Sequence, residues 1–310
     1  MKPQFGVILP VGPGGDEIGR VQDTVQALEA HEPANFHLLI ADDAMPGRDF
    51  FKAIPGLPRE RTMVIANPRR GRGFGWEGAC TPAVLAGLKQ FVGMDVEFVL
   101  KMDTDALPIA PFSAKIISKF AEDTSVGMLG SRYYADGTEP DREWVRGVGL
   151  GLEKLLRPFA LWRMTRLRKL PDVQIGLWGD YKRIRNTIRQ AFINGYRVGD
   201  HCQGGAYALS RHCLRELDRH GHLDHPCGWL KTPVPADDVQ ALCVKAAGLH
   251  YRDFGGVGEP FACHWRGLPD TPENLLKRGS AIIHSVKDHG GRTERETREL
   301  FRKLRPPSGP

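Results

Sequence analysis

Short apolar runs alternate with amphipathic segments along the first third of the chain. Phe5–Leu9, Phe36–Ala41, Thr62–Ala66 and Glu97–Met102 read as strands. Between the first two, Asp16–Ala30 sets Ile18, Val21, Val25 and Leu28 on one helical face, and Pro82–Phe91 carries a second helical pattern. Strands separated by helices predict βαβ units and an α/β fold with a mostly parallel central sheet. In such sheets ligands bind beyond the carboxyl ends of the strands, and the chain puts four acids there: Asp42 and Asp43 after the second strand, Asp103 and Asp105 after the fourth.

Further along, Phe112, Ile116 and Phe120 predict a helix over Pro111–Asp123, and Val126–Ser131 reads as a buried strand. Gly204–Ser210 leads into another helix, and Ala236-Asp237-Asp238-Val239-Gln240 opens a helical pattern through Leu242, Cys243 and Ala246. Ala281–Lys287 is strand-like at its start, and 292–310 reads as a charged, frayed tail. The expected organisation is one body made of two halves, 1–130 and 131–291, followed by that tail.

Length and composition fit this picture. The 310 residues, 41% apolar with no low-complexity tract, are enough for a sizeable core. No apolar run reaches membrane-spanning length, and the first ten residues pass into a strand without the features of a signal peptide, so a cytoplasmic location is expected. The six cysteines are widely spaced, which in that compartment means free thiols.

A net charge of +6 favours anionic partners. The basic residues concentrate in 142–189, where Leu152–Leu170 reads as a membrane-surface helix, an acceptor-binding element or a cover on the core, so peripheral contact with the inner membrane surface is a further option.

The strongest chemical signal is Val99-Leu100-Lys101-Met102-Asp103-Thr104-Asp105. Alternate side chains of an extended segment leave on one face, so Asp103 and Asp105 point together at one place beyond the strand end. Two such carboxylates suit a hard divalent cation, Mg²⁺ or Mn²⁺, with positions left for phosphate oxygens. Arg69, Arg70 and Arg72 lie in a Gly-rich loop that allows close backbone approach to a phosphate or nucleobase. His212, Cys213, His220, His222, His225 and Cys227 form a dense group of zinc-capable side chains, but no spacing among them matches a zinc module.

The ordered set of a first strand ending in Pro10, Ile40-Ala41-Asp42-Asp43, Asp103-Thr104-Asp105, Gly204-Gly205 with its aromatic residue and Ala236-Asp237-Asp238-Val239 resembles the nucleotide-sugar glycosyltransferases of the GT-A fold, most closely the family 2-like group. The resemblance implies transfer of a sugar from a nucleotide-diphosphate donor to a hydroxyl of a saccharide, a lipid-linked saccharide or a nucleic acid, with inversion. It implies that Pro10, Asp42 and Asp43 contact the nucleotide, that Asp103 and Asp105 hold Mn²⁺ or Mg²⁺, and that Asp238, beside Asp237, is the general base. A C-terminal His completes the metal site in many members of the fold, which points to His284, with Lys287 reaching the diphosphate. Asp237 stands where Glu is common, and the Arg69–Gly75 segment is more basic than usual. A helix cap is the competing role for Asp237 and Asp238. Two other functions fit parts of the chain: nucleotidyl transfer to a sugar phosphate, weakened by acids after the Gly12–Gly15 loop, and nucleic-acid binding through the basic stretch.

Overall fold

A computed structural model describes residues 3–70, 80–132, 142–156 and 177–306. Its centre is a seven-stranded sheet of β1 (Phe5–Val11), β2 (Phe36–Asp42), β3 (Thr62–Ala66), β4 (Phe98–Met102), β6 (Val126–Arg132), β7 (Cys202–Ser210) and β8 (His250–Asp253), in the order β3-β2-β1-β4-β7-β6-β8. β7 alone opposes its neighbours: it pairs antiparallel with β4 and β6, while the other pairings are parallel. A second sheet of three short strands, in the order β5 (Leu107–Pro108), β10 (Ile282–His284) and β9 (Phe261–Cys263), lies at the end of β4.

The apolar runs are continuous because both faces of the sheet are covered. Ile8, Leu39 and Val99 join one core with Phe91, Tyr207 and Leu242; Val7, Leu9, Leu38 and Leu100 join another around the stacked rings of Phe5 and Phe98. Helix α1 (Glu17–His31) and helix α3 (Thr81–Phe91) carry the predicted periodicities, with the short helix α2 (Phe50–Ala53) between them in the chain. Helix α4 (Ser113–Glu122) buries Ile116 and Phe120 as expected. Helices α5 (Arg142–Leu156) and α6 (Leu177–Ile193) account for the described parts of the basic stretch, and the remainder of Leu152–Leu170 lies outside the described residues. Helices α7 (Arg211–Arg219), α8 (Ala236–Ala246) and α9 (Pro272–Lys277) follow.

The expectation of a frayed tail is corrected. Glu294–Lys303 is a helix, α10, opened by a reciprocal capping box between Thr293 and Glu296 and held by Phe301, which is buried against the small sheet. It looked frayed because ion pairs, rather than an apolar stripe, fasten most of it: Arg298, Arg302 and Arg305 all reach Asp23 on α1. No described helix is long and apolar enough to cross a membrane.

Candidate metal and transfer site

At the end of β4 the chain turns sharply. The Asp103 amide donates to the Gly205 carbonyl at 2.8 Å and the Ala106 amide to the Asp103 carbonyl at 3.0 Å. The turn turns Asp103 and Asp105 towards β10, whose last residue is His284. Asp103, Asp105 and His284 each offer a ligand atom within 4.8 Å of the others, and no other group of three such donors is found among the described residues. An ion with oxygen and nitrogen contacts near 2.0–2.4 Å spans ligand pairs of about this separation, so the donor set fits Mn²⁺ or Mg²⁺.

The neighbours of these side chains bias their protonation. His264 and His284 lie on adjacent backbone segments, and His284 Nδ1 is 2.8 Å from the His264 carbonyl, which can only accept. The Nδ1 position therefore carries the proton, and Nε2 faces Asp105 at 3.2 Å. Burial alone would raise the Asp105 pKa, but the His284 hydrogen bond and the charges of His284 and Lys287 hold it well below the usual carboxylate range. Burial opposes charge on His284 too, and there Asp105 and then Asp103 prevail and raise its pKa. Asp103 goes the other way, pushed up by burial more than Lys101 pulls it down. Ser285 Oγ donates to Asp105 at 2.8 Å, and Lys287 Nζ stands 3.0 Å from the same carboxylate oxygen.

Gly204 and Gly205 have a steric purpose. A Cβ on Gly205 would overlap the His284 ring, and one on Gly204 would overlap the Asp237 carboxylate. Only a strand bare of side chains at two successive residues admits both groups. Asp237 and His284 therefore each pack against one of two successive residues of β7.

Of the two acids that open α8, Asp237 faces the site: its side chain is 30% exposed, it accepts from the Gly204 amide at 3.1 Å, and His201 Nε2 lies 4.0 Å away. Asp238, the general base expected from the sequence, is fully enclosed. Tyr196 donates its hydroxyl to Asp238 Oδ1 at 2.7 Å, and Oδ2 has no hydrogen-bond partner among the described residues. Burial pushes the Asp238 pKa up to about 6, against the charge of His201 and the Tyr196 bond. Neither acid is a helix cap, since Pro235 holds the N-cap position and both lie in the first turn, where the helix dipole favours negative charge.

The other acids of the rim are already partnered. The Arg48 guanidinium bonds to Asp42 and to the carbonyls of Gly12 and Gly14, while Arg69 forms a forked ion pair with Asp43. Pro10 is in register with Ala41, one residue before Asp42, and so stands on the same rim. Arg72 lies outside the described residues. His222 stacks against His220, and neither joins a three-donor group among the described residues.

The sequence reading assigned no role to Lys101, His201, Tyr196 or Ser285. Lys101 is buried in β4, pairs with Asp103 at 2.6 Å and also donates to the Gly204 carbonyl. Its signal was present: a lysine inside an otherwise apolar strand is buried only with a partner.

No family model matches the chain, and no curated protein sequence does. Solved structures similar in overall shape include an active-site mutant of LgtC (13% identity, TM-score 0.48) and the galactosyltransferase LgtC in complex with donor and acceptor sugar analogues (11%, 0.47), each covering 96% of this chain and 94% of that one. The mannosyltransferase Ktr4p from S. cerevisiae in complex with GDP is 11% identical with a TM-score of 0.38, over 79% of this chain and 68% of that one. Identities this low bear on fold alone, and scores below 0.5 leave function to be argued from the side chains.

Proposed function

We propose that the protein is a GT-A-type glycosyltransferase that moves a sugar from a nucleoside-diphosphate donor to a hydroxyl acceptor, using a divalent metal held by Asp103, Asp105 and His284. The observation that carries the reading is the three-donor cation site at the end of β4, with the part-exposed Asp237 carboxylate held on the Gly204 amide of the neighbouring strand. When bound, Mn²⁺ or Mg²⁺ supplies positive charge where the departing diphosphate becomes more negative. Lys287, half in solvent beside Asp105, adds a mobile cation for the same phosphates. Asp237 is the group placed to accept the acceptor hydroxyl's proton, with Gly204 and His201 fixing its carboxylate. Asp238 positions this pair from below, through its carboxylate beside His201 and Tyr196. Inversion follows if the acceptor enters on the Asp237 side.

Asp42, Asp43, Arg69 and Pro10 form the rim for the nucleoside, within the donor half 1–130; residues 131–291 form the acceptor half. The family 2-like placement rests on motif order alone. Nucleotidyl transfer is disfavoured because the Gly12 and Gly14 carbonyls turn to Arg48, whereas a phosphate loop presents its N–H groups. The test is a panel of nucleotide sugars incubated with Mn²⁺ and simple saccharide, lipid-linked saccharide and oligonucleotide acceptors. Release of nucleoside diphosphate from one donor, abolished by chelation, is expected; release of pyrophosphate from a nucleoside triphosphate with a sugar phosphate would replace the reading with nucleotidyl transfer.

A further inference from the structure

Thr104, between the two acids of the β4 turn, is gripped from both sides by groups far away in the chain. Its hydroxyl donates to Glu17 Oε2 at 2.6 Å, and its backbone carbonyl accepts from Arg298 Nη2 at 2.6 Å. Arg298 is buried on α10, and its other nitrogens are committed too: Nη1 to Asp23 at 2.9 Å and Nε to Glu294 at 2.8 Å. At its N-terminal end α10 also receives the strap that carries Lys287, because the Glu294 amide donates to Asp288 Oδ1 at 2.6 Å. One helix thus touches the turn that presents Asp103 and Asp105 and the segment that presents His284 and Lys287.

We propose that α10 is a brace for the cation site and that Arg298 is its positioning residue. The Thr104 carbonyl belongs to the planar peptide that leads into Asp105, so Arg298 on that carbonyl and Glu17 on the Thr104 hydroxyl together restrict the backbone of the turn on which both acids sit. The guanidinium is suited to this task because its planar fork reaches three acceptors at once, where an ammonium on a flexible stem cannot hold the same geometry. Arg302 bonds Asp23 without touching the turn and so separates docking of the helix from control of the turn.

The proposal deepens the glycosyltransferase reading, yet its decisive readout needs no metal. Amide exchange is measured on the peptide spanning Asp103–Ala106 in wild type, Arg298→Met, Arg298→Lys and Arg302→Met. Both Arg298 variants should exchange about tenfold faster at Asp105 and Ala106, and Arg302→Met should match wild type. Arg298→Lys keeps a cation for Asp23 and serves if Arg298→Met fails to fold. In parallel, Mn²⁺ affinity read by electron paramagnetic resonance should weaken about tenfold in both Arg298 variants, in the range usual for removing a group that orients a metal ligand. Wild-type exchange at Asp105 and Ala106 in folded Arg298→Lys overturns the brace. Absence of Mn²⁺ binding by the wild-type protein refutes the metal site instead, and the exchange result still decides the brace.

Discussion

Replacing Asp238 with Asn separates the roles of two adjacent acids. Asp238 is wholly buried, which pushes its pKa up to about 6, against about 3.9 for an aspartate in an unfolded chain. The native protein therefore binds more protons than the unfolded chain between about pH 4 and pH 6, so stability falls as pH rises through that window and the full penalty persists above it. A gap of about 2 pH units corresponds to about 3 kcal/mol. The amide never ionises. Asp238→Asn should thus gain up to about 3 kcal/mol over wild type at pH 8 relative to their difference at pH 4. Burying the new N–H groups costs the same at both pH values and cancels in that comparison. Urea unfolding at the two pH values, with equal slopes, measures it. The enclosed carboxylate also predicts that Asp238→Asn retains turnover within about tenfold, while Asp237→Asn loses at least a hundredfold in kcat, in the range of general-base removal. An unchanged stability difference at pH 4 and pH 8, or loss of turnover in Asp238→Asn with full activity in Asp237→Asn, would refute the assignment.

Gly205→Ala places a methyl group inside the His284 ring, so it should destabilise the fold by about 1–3 kcal/mol or more and abolish Mn²⁺ binding, while Gly127→Ala, against Cys213 and Leu249 far from the site, should leave Mn²⁺ binding intact in whatever folded protein it yields. Lys101→Met removes the buried partner of Asp103 and should cost about 3 kcal/mol; the thermal stabilisation produced by saturating Mn²⁺ should then exceed that of wild type, because an added cation meets a carboxylate left without one. Equal stabilisation of the two proteins by Mn²⁺ would show that Lys101 and the metal act on different groups.

The central strands β1, β2 and β4 were legible because each is covered on both faces, so their apolar runs stand out, while the half-buried edge strand β3 showed through its β-branched and apolar residues. Asp103 and Asp105 were legible for a geometric reason, the period of two in an extended chain. Of the small sheet only β10 showed in the sequence, as the strand-like start of Ala281–Lys287; β5 with two residues and β9 with three are too short for a periodicity. Helix α10 offered a capping box at Thr293 and Glu296, but its partners are charges on α1, and ion-pair docking leaves no apolar stripe to read. Which of Asp237 and Asp238 meets solvent is decided by Tyr196 and His201, about forty residues upstream, so two adjacent identical side chains carry no local sign of it. Likewise the pairing of Asp42 with Arg48 and of Asp43 with Arg69 depends on how the loops after β2 and β3 fold back.

The most direct test of the cation site is calorimetric titration of nucleoside diphosphates, with uridine and guanosine forms as probes, into the protein with and without Mn²⁺. Wild type should bind one of them at least tenfold more tightly with Mn²⁺ than with chelator, and Asp105→Asn and His284→Ala should lose that enhancement while keeping the metal-free affinity. Binding of equal strength with Mn²⁺ and with chelator, or an enhancement that survives in both variants, would contradict a metal held by Asp103, Asp105 and His284.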